Sequence, residues 1–244
     1  MKATAPKKEF WKLFSMYAGI AHKRCPRSAL HRLWIRLRYY RAWKHYLTRD
    51  ISPASARIPW IPFECLDYLK TLLRPEFRVF EYGSGGSTFF FAARTRNVVS
   101  VEHNPEWYEQ VSRIIRRENL THCDYHFLPP TERNEKPSPG LPAFVNYTAD
   151  GYPDLTFLDY VRAIDVFPDG HFDLVSVDGR ARNSCLFHAK PKVKPGGYLL
   201  LDNAEREEYS EGKKWMDDWS KTEFDGPGPW GEAFWQAIIW RRPR

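Results

Sequence analysis

The sequence predicts an α/β protein, a doubly wound and mostly parallel sheet with a helical extension at its N-terminus. Three observations predict it. Short β-rich runs alternate with helical stretches from residue 78 onward, the first run ends in a glycine-rich turn, and acidic residues close several later runs. The composition agrees, because 244 residues that are 43% hydrophobic and 16% aromatic supply a large core and exclude a disordered or fibrous chain.

The extension is set apart by charge. Residues 1–50 hold 13 of the 37 Lys and Arg but only Glu9 and Asp50 among the acids, whereas the rest of the chain is mildly acidic. Within it, residues 28–47 place Leu30, Leu33, Trp34, Leu37, Tyr40 and Leu47 near a 3.6-residue period with Arg and Lys between them, which predicts a basic, aromatic-rich amphipathic helix. Two readings of that helix stay open. It packs its aromatic stripe on the main domain, or it lies on an anionic membrane surface with its rings at the headgroup level. No nucleic-acid-binding module accompanies the basic stretch. The apolar stretch 10–21 is broken by Lys12 and lacks a cleavage site, and no run of 18 apolar residues occurs. A cytoplasmic location with peripheral membrane contact is therefore expected. Cysteines at 25, 65, 123 and 185 lack C-x-x-C spacing and suggest neither a zinc module nor a disulfide scaffold.

Prolines 53, 59 and 62 punctuate a connection, so the boundary is drawn between an extension of residues 1–62 and a domain of residues 63–244. Residues 63–73 read as a helix. Residues 78–82 (RVFEY) are a strand, Gly-Ser-Gly-Gly-Ser is a tight turn, and 88–93 open a helix. Residues 98–102 (VVSVE) form a second strand, and Asn104-Pro105 starts a helix through Arg117, where the proline's missing N–H costs nothing. Residues 125–128 are a third strand. The span 129–154, rich in Pro, Gly and Asn, is too long for a simple connection and reads as a binding loop or lid. Residues 157–167 and 184–193 are helical, 172–177 (FDLVSV) and 198–201 (YLLL) are strands, and the apolar tail 234–240 is a last strand.

The strand ends carry the chemistry. The glycines of Gly83-Ser84-Gly85-Gly86 let backbone approach a ligand closely. Glu81, two residues earlier, suits a cationic ligand group and repels a pyrophosphate. Glu102 closes the next strand 21 residues after Glu81, where a carboxylate accepts both hydrogen bonds of a ribose diol.

Glu81-x-Gly83-x-Gly85, Glu102 at the next strand end and Lys194-Pro195-Gly196-Gly197 before a late strand together resemble the class I S-adenosylmethionine-dependent methyltransferases. The resemblance covers roughly residues 63–203 and, more loosely, the tail. It implies a Rossmann-like methyltransferase fold and S-adenosylmethionine as methyl donor. Glu81, Gly83, Ser84 and Gly85 would cradle the methionine portion, Glu102 the ribose, and His103 the adenine. Asp178 would lie near the transferred methyl as the catalytic residue, or else cap the next helix. The set Asp178, Asp202 and Asn203 resembles the trio with which catechol-type O-methyltransferases hold Mg2+, although Asp-Asn after a strand is also common turn chemistry. Trp107 and Tyr108 are read as adenine-stacking or core residues, and Arg180 and Arg182 as contacts to an anionic acceptor or as solvated charges.

The expected activity is O-methylation of a small-molecule or glycan-related acceptor. A nicotinamide-dependent oxidoreductase and a non-catalytic docking module on the same fold are the alternatives, with Glu81 opposing the former.

Overall fold

The computed structural model describes residues 11–19, 28–133 and 140–244. Cys25, the ends of the 10–21 stretch and part of the 129–154 loop lie outside the described residues.

Residues 11–19 are helical (α1) and α2 spans Ala29–Thr48, opened by Ser28, whose Oγ accepts the His31 N–H at 3.3 Å. Then come α3 (Pro53–Ala56), α4 (Phe63–Leu72), β1 (Arg78–Tyr82), α5 (Gly86–Ala92), β2 (Asn97–Glu102) and α6 (Pro105–Arg117). Asn104 caps α6 by accepting the Trp107 N–H at 2.8 Å. The chain continues through β3 (Cys123–Phe127), a two-residue ladder of β4 (Thr131–Glu132) with β5 (Leu155–Thr156), α7 (Leu158–Arg162), β6 (Phe172–Val177), α8 (Arg182–Lys192) and β7 (Val193–Leu201). It ends with α9 (Ser210–Lys214), β8 (Ser220–Gly226) and β9 (Trp235–Arg241).

Seven strands form one sheet in the order β3-β2-β1-β6-β7-β9-β8. All pairings from β3 to β7 are parallel, and β9 runs antiparallel between β7 and β8. Both faces are covered, and the strands show why. On β1, β2, β6, β7 and β9, Phe80, Val99, Val175, Leu199 and Ile238 pack under α7 and α8, while Val79, Val98, Leu174, Leu200 and Ile239 pack under α2, α4 and α5. Such two-sided burial makes parallel strands read as continuous apolar runs.

The expected extension and domain share one core. Tyr17, Ile35 and Trp43 lie in the same buried cluster as Leu66, Val79 and Ile239. Trp43 Nε1 donates to the Gly231 carbonyl at 2.8 Å, tying α2 to the loop before β9. The aromatic side of α2 therefore packs on the sheet, and its other side leaves Leu30, Leu33, Trp34 and Leu37 exposed. Among the described residues no helix is long and apolar enough to cross a membrane, and Cys65, Cys123 and Cys185 are free thiols.

Candidate functional site

Strand order reverses between β1 and β6, and a crevice opens at the carboxyl ends of strands at such a point. Here it is a cleft of about 1120 Å³, walled by the loops after β1, β2, β6 and β7, by Pro53 and Trp60 from the N-terminal part, and by residues 231–235.

The β1 loop forms its floor. Gly83 has φ +88°, and a Cβ there would meet the backbone of Gly179 at 2.8 Å, so the loops after β1 and β6 touch only because both residues lack side chains. A Cβ on Gly86 would strike the carbonyls of Pro53 and Ile58, so this second glycine is where the N-terminal part crosses the loop. Trp107 Nε1 donates to the Ser84 carbonyl at 2.6 Å and braces the loop from α6.

Glu81 and Glu102 share one face of the sheet, because Glu81 pairs with Ser100 and Ser100 alternates with Glu102. Their roles differ. Glu102 reaches the cleft wall, its Oε2 accepting from the Ser84 N–H and hydroxyl at 3.0 Å, its Oε1 from the His103 and Asn104 N–H groups at 2.9 and 2.8 Å. Burial opposes its ionisation, but these bonds together with the His103 imidazole outweigh that and hold the carboxyl below its ordinary value. A fixed anion thus faces the cleft at neutral pH. Ser84 Oγ also contacts Tyr125 Oη at 2.6 Å, so this hydroxyl has a partner besides Glu102.

Glu81, expected to meet the ligand, instead lies wholly buried beneath the loop and outside the cleft wall. Its Oε2 accepts from Thr88 Oγ1 at 2.6 Å and Ser100 Oγ at 2.7 Å, and Thr88 Oγ1 in turn accepts the Gly85 N–H at 3.0 Å. The carboxylate therefore shapes the glycine loop from below. Burial pushes its pKa up to about 7, against the opposing pull of the surrounding hydroxyls.

His103 lines the cleft against Tyr152, Phe157 and Tyr160, with Nδ1 2.9 Å from Glu102 Oε1. Tyr108 does not reach the cleft, stacking instead on Tyr125 and Phe127.

Asp178, Asp202 and Asn203 converge as the sequence suggested, but they converge on an arginine. Arg182, only 7% exposed, places Nη2 3.0 Å from Asp178 Oδ1 and Nη1 3.1 Å from Asn203 Oδ1, and donates further to the Gly179, Asp178 and Asp202 carbonyls. Asp202 Oδ1 accepts from Trp235 Nε1 at 2.9 Å. The donor set expected for Mg2+ is thus engaged by a guanidinium and an indole. These residues do not fit a divalent cation, because a fixed positive charge already stands at their centre. Burial raises the pKa of Asp178, with Arg182 pulling it back, and burial plus the neighbouring Asp178 raises that of Asp202 well above the carboxylate range.

Sequence reasoning missed Arg182 as the hub of this cluster and Trp235 as its partner. The signal for Arg182 was its position four residues after Asp178, at the first residue of α8, where the loop after β6 turns back over the strand end.

Comparison with solved structures agrees with the topology. A methyltransferase from Geobacter sulfurreducens matches with a TM-score of 0.51 at 13% identity over 83% of this chain and 95% of that one. The O-methyltransferase TomG from Streptomyces achromogenes, solved with S-adenosylmethionine, matches with a TM-score of 0.50 at 14% identity over 72% of this chain and 78% of that one. The chain has the Rossmann-like methyltransferase fold. No family model matches the sequence, and no curated protein does. The similarity resides in the fold.

Proposed function

We propose that the protein transfers a methyl group from S-adenosylmethionine to an oxygen of a small-molecule or glycan-related acceptor. One observation carries this reading. The 1120 Å³ cleft at the β1/β6 reversal joins the Gly83-Ser84-Gly85 floor, the ionised Glu102 and the Asp178 carboxyl in one concave site, in a fold shared with methyltransferases.

The donor fits the residues present. A bare glycine floor admits its methionine portion, and Glu102 accepts from its ribose in exchange for the Ser84 hydroxyl. When bound, it supplies a methyl on a sulfonium, whose C–S bond breaks with the electron pair staying on sulfur. The chain's task is then positioning and proton handling. Trp107 and Ser84 fix the floor, while Asp178, recessed but one-quarter exposed to the cleft, takes the proton of the acceptor hydroxyl as the new C–O bond forms. Arg182 balances the charge on Asp178, without a metal in the step.

Calorimetry with S-adenosylmethionine, its demethylated product and NAD tests the reading. The first two bind and NAD does not, and Glu102→Ala weakens nucleoside binding by about 1–3 kcal/mol, the cost of losing a charged acceptor. Binding of NAD alone would replace methyl transfer by hydride transfer.

Peripheral attachment to an anionic lipid surface belongs to the same proposal. Leu30, Leu33, Trp34 and Leu37 form one exposed stripe on α2, with Leu30 at 79% and Leu37 at 73% exposure, in a segment rich in Lys and Arg.

A further inference from the structure

Beyond Gly179 the cleft continues into a second chamber of about 430 Å³, and the two share Gly179, Arg180, Arg182 and Arg206 as a common wall. The chamber is basic. Among the described residues, Arg133, Arg180, Arg182 and Arg206 line it against only Asp150 and Glu208.

These arginines are not equivalent. Arg182 is spent inside the protein on Asp178, Asn203 and three backbone carbonyls. Arg206 lies 3.6 Å from Glu208, a loose contact for an ion pair. The Arg180 guanidinium rests over the Tyr152 ring at 5.6 Å, and among the described residues neither Arg180 nor Arg133 has a carboxylate within ion-pair distance. The polarity of the combined site is also uneven. Apart from the shared arginines, the main cleft carries Glu102, Glu106, Glu205 and Glu232, which favour the cationic sulfonium and amine of the donor, whereas the side chamber favours the opposite charge.

We propose that the side chamber is an oxyanion subsite, and that the methyl acceptor is held there through a carboxylate or phosphate gripped by Arg180, Arg206 and Arg133. The assignment rests on the methyl-transfer reading of the adjoining cleft, since that reading makes the chamber's ligand an acceptor. Guanidinium forks suit planar and tetrahedral oxyanions alike, and Asn146 and Thr148 on the facing wall add uncharged polar groups. The wall shared through Arg180 and Gly179 then sets the hydroxyl to be methylated over Asp178, while the anion anchors the far end of the acceptor.

The test is calorimetric titration of inorganic phosphate and, separately, acetate, into the full chain with and without S-adenosylhomocysteine. Wild type is compared with Arg180→Gln, Arg206→Gln, and Arg113→Gln as a control on the outer face of α6, where Arg113 pairs with Glu109. Saturable binding of one or both anions is expected, weakened about tenfold or more by the first two substitutions and unchanged by the third. Phosphate binding alone marks a phosphorylated acceptor and acetate binding alone a carboxylate. Absence of saturable binding for both, or binding indifferent to Arg180 and Arg206, overturns the subsite. S-adenosylhomocysteine affinity, measured in the same variants, reports separately. If it is retained while anion binding is absent, the subsite fails and methyl transfer stands, and if anions bind but the nucleoside does not, the chamber stands and its role as acceptor site fails.

Discussion

Replacing Glu81 by Gln separates a support beneath the glycine loop from a contact to the ligand. Glu81 is fully buried, and burial lifts its pKa from an ordinary 4.5 to about 7. A carboxyl whose folded pKa is raised contributes full stability below about pH 4.5. Stability is then lost as the pH rises toward 7, because the unfolded chain ionises first. A rise of that size corresponds to about 3 kcal/mol at pH 8. Glutamine keeps an oxygen for the Thr88 and Ser100 hydroxyls, turns its amide toward Ser87, and has no charge to bury. Urea unfolding across pH 4.5–8 should therefore show Glu81→Gln more stable than wild type at pH 8 by about 1–3 kcal/mol, with the gain vanishing at acid pH. S-adenosylhomocysteine affinity should stay within about threefold, well under the loss expected for a broken charged hydrogen bond. A variant that folds but loses the nucleoside, or that is less stable than wild type at pH 8, refutes the supporting role.

Three further outcomes follow from the same geometry. Arg182→Met leaves two buried carboxyls without their counter-charge, so urea unfolding at pH 7 should show a loss of about 3–5 kcal/mol, shrinking toward pH 4 as the carboxyls protonate in both states. Because that guanidinium holds the centre of the acidic cluster, millimolar Mg2+ or a chelator should leave the unfolding temperature of the ligand-free protein unchanged, and stabilisation by Mg2+ would restore the metal site. Leu30→Ser combined with Leu37→Ser removes two exposed side chains, so it should spare the fold but cut sedimentation with phosphatidylserine vesicles by about tenfold or more, each leucine contributing about 1.5–3 kcal/mol when it enters the lipid.

Elements with a strong local signature were legible in the sequence. β1 and β6 match their predicted spans, and α6 runs through Arg117 from the Asn104 cap, because a run bounded by a glycine turn or a cap needs no knowledge of distant contacts. β8 was not legible. Ser220–Gly226 is mostly polar and sits at the sheet edge, so neither alternation nor a continuous apolar run marks it, and only pairing with β9 makes it a strand. The site divides the same way. Glu102 and the glycine loop are announced by strand, turn and spacing. The place of Glu81 beneath that loop depends on Thr88 and Ser100 from two other elements, and Trp235 meets Asp202 from 33 residues away. The boundary at residue 62 looked firm because prolines and charge change there. It carries no packing boundary, since the aromatic residues of α2 find their partners in Phe234 and in the loop before β9.

The position of the N-terminal part bears on the chemistry as well as on stability. Pro53 and Trp60 wall the cleft, and the carbonyls of Pro53 and Ile58 press on Gly86 at the end of the glycine loop. Trp230 Nε1 donates to the Ile51 carbonyl and its ring meets Tyr46 and Trp60, so the loop opposite the glycine floor is clipped to the same segment. The floor and the roof of the cleft are thus tied to one stretch of chain that begins in the basic helix α2. If the exposed leucines of that helix rest on anionic lipid, the cleft is fixed in distance and direction to the lipid surface. An anionic acceptor approaching the arginines of the side chamber then meets a site whose orientation is already determined.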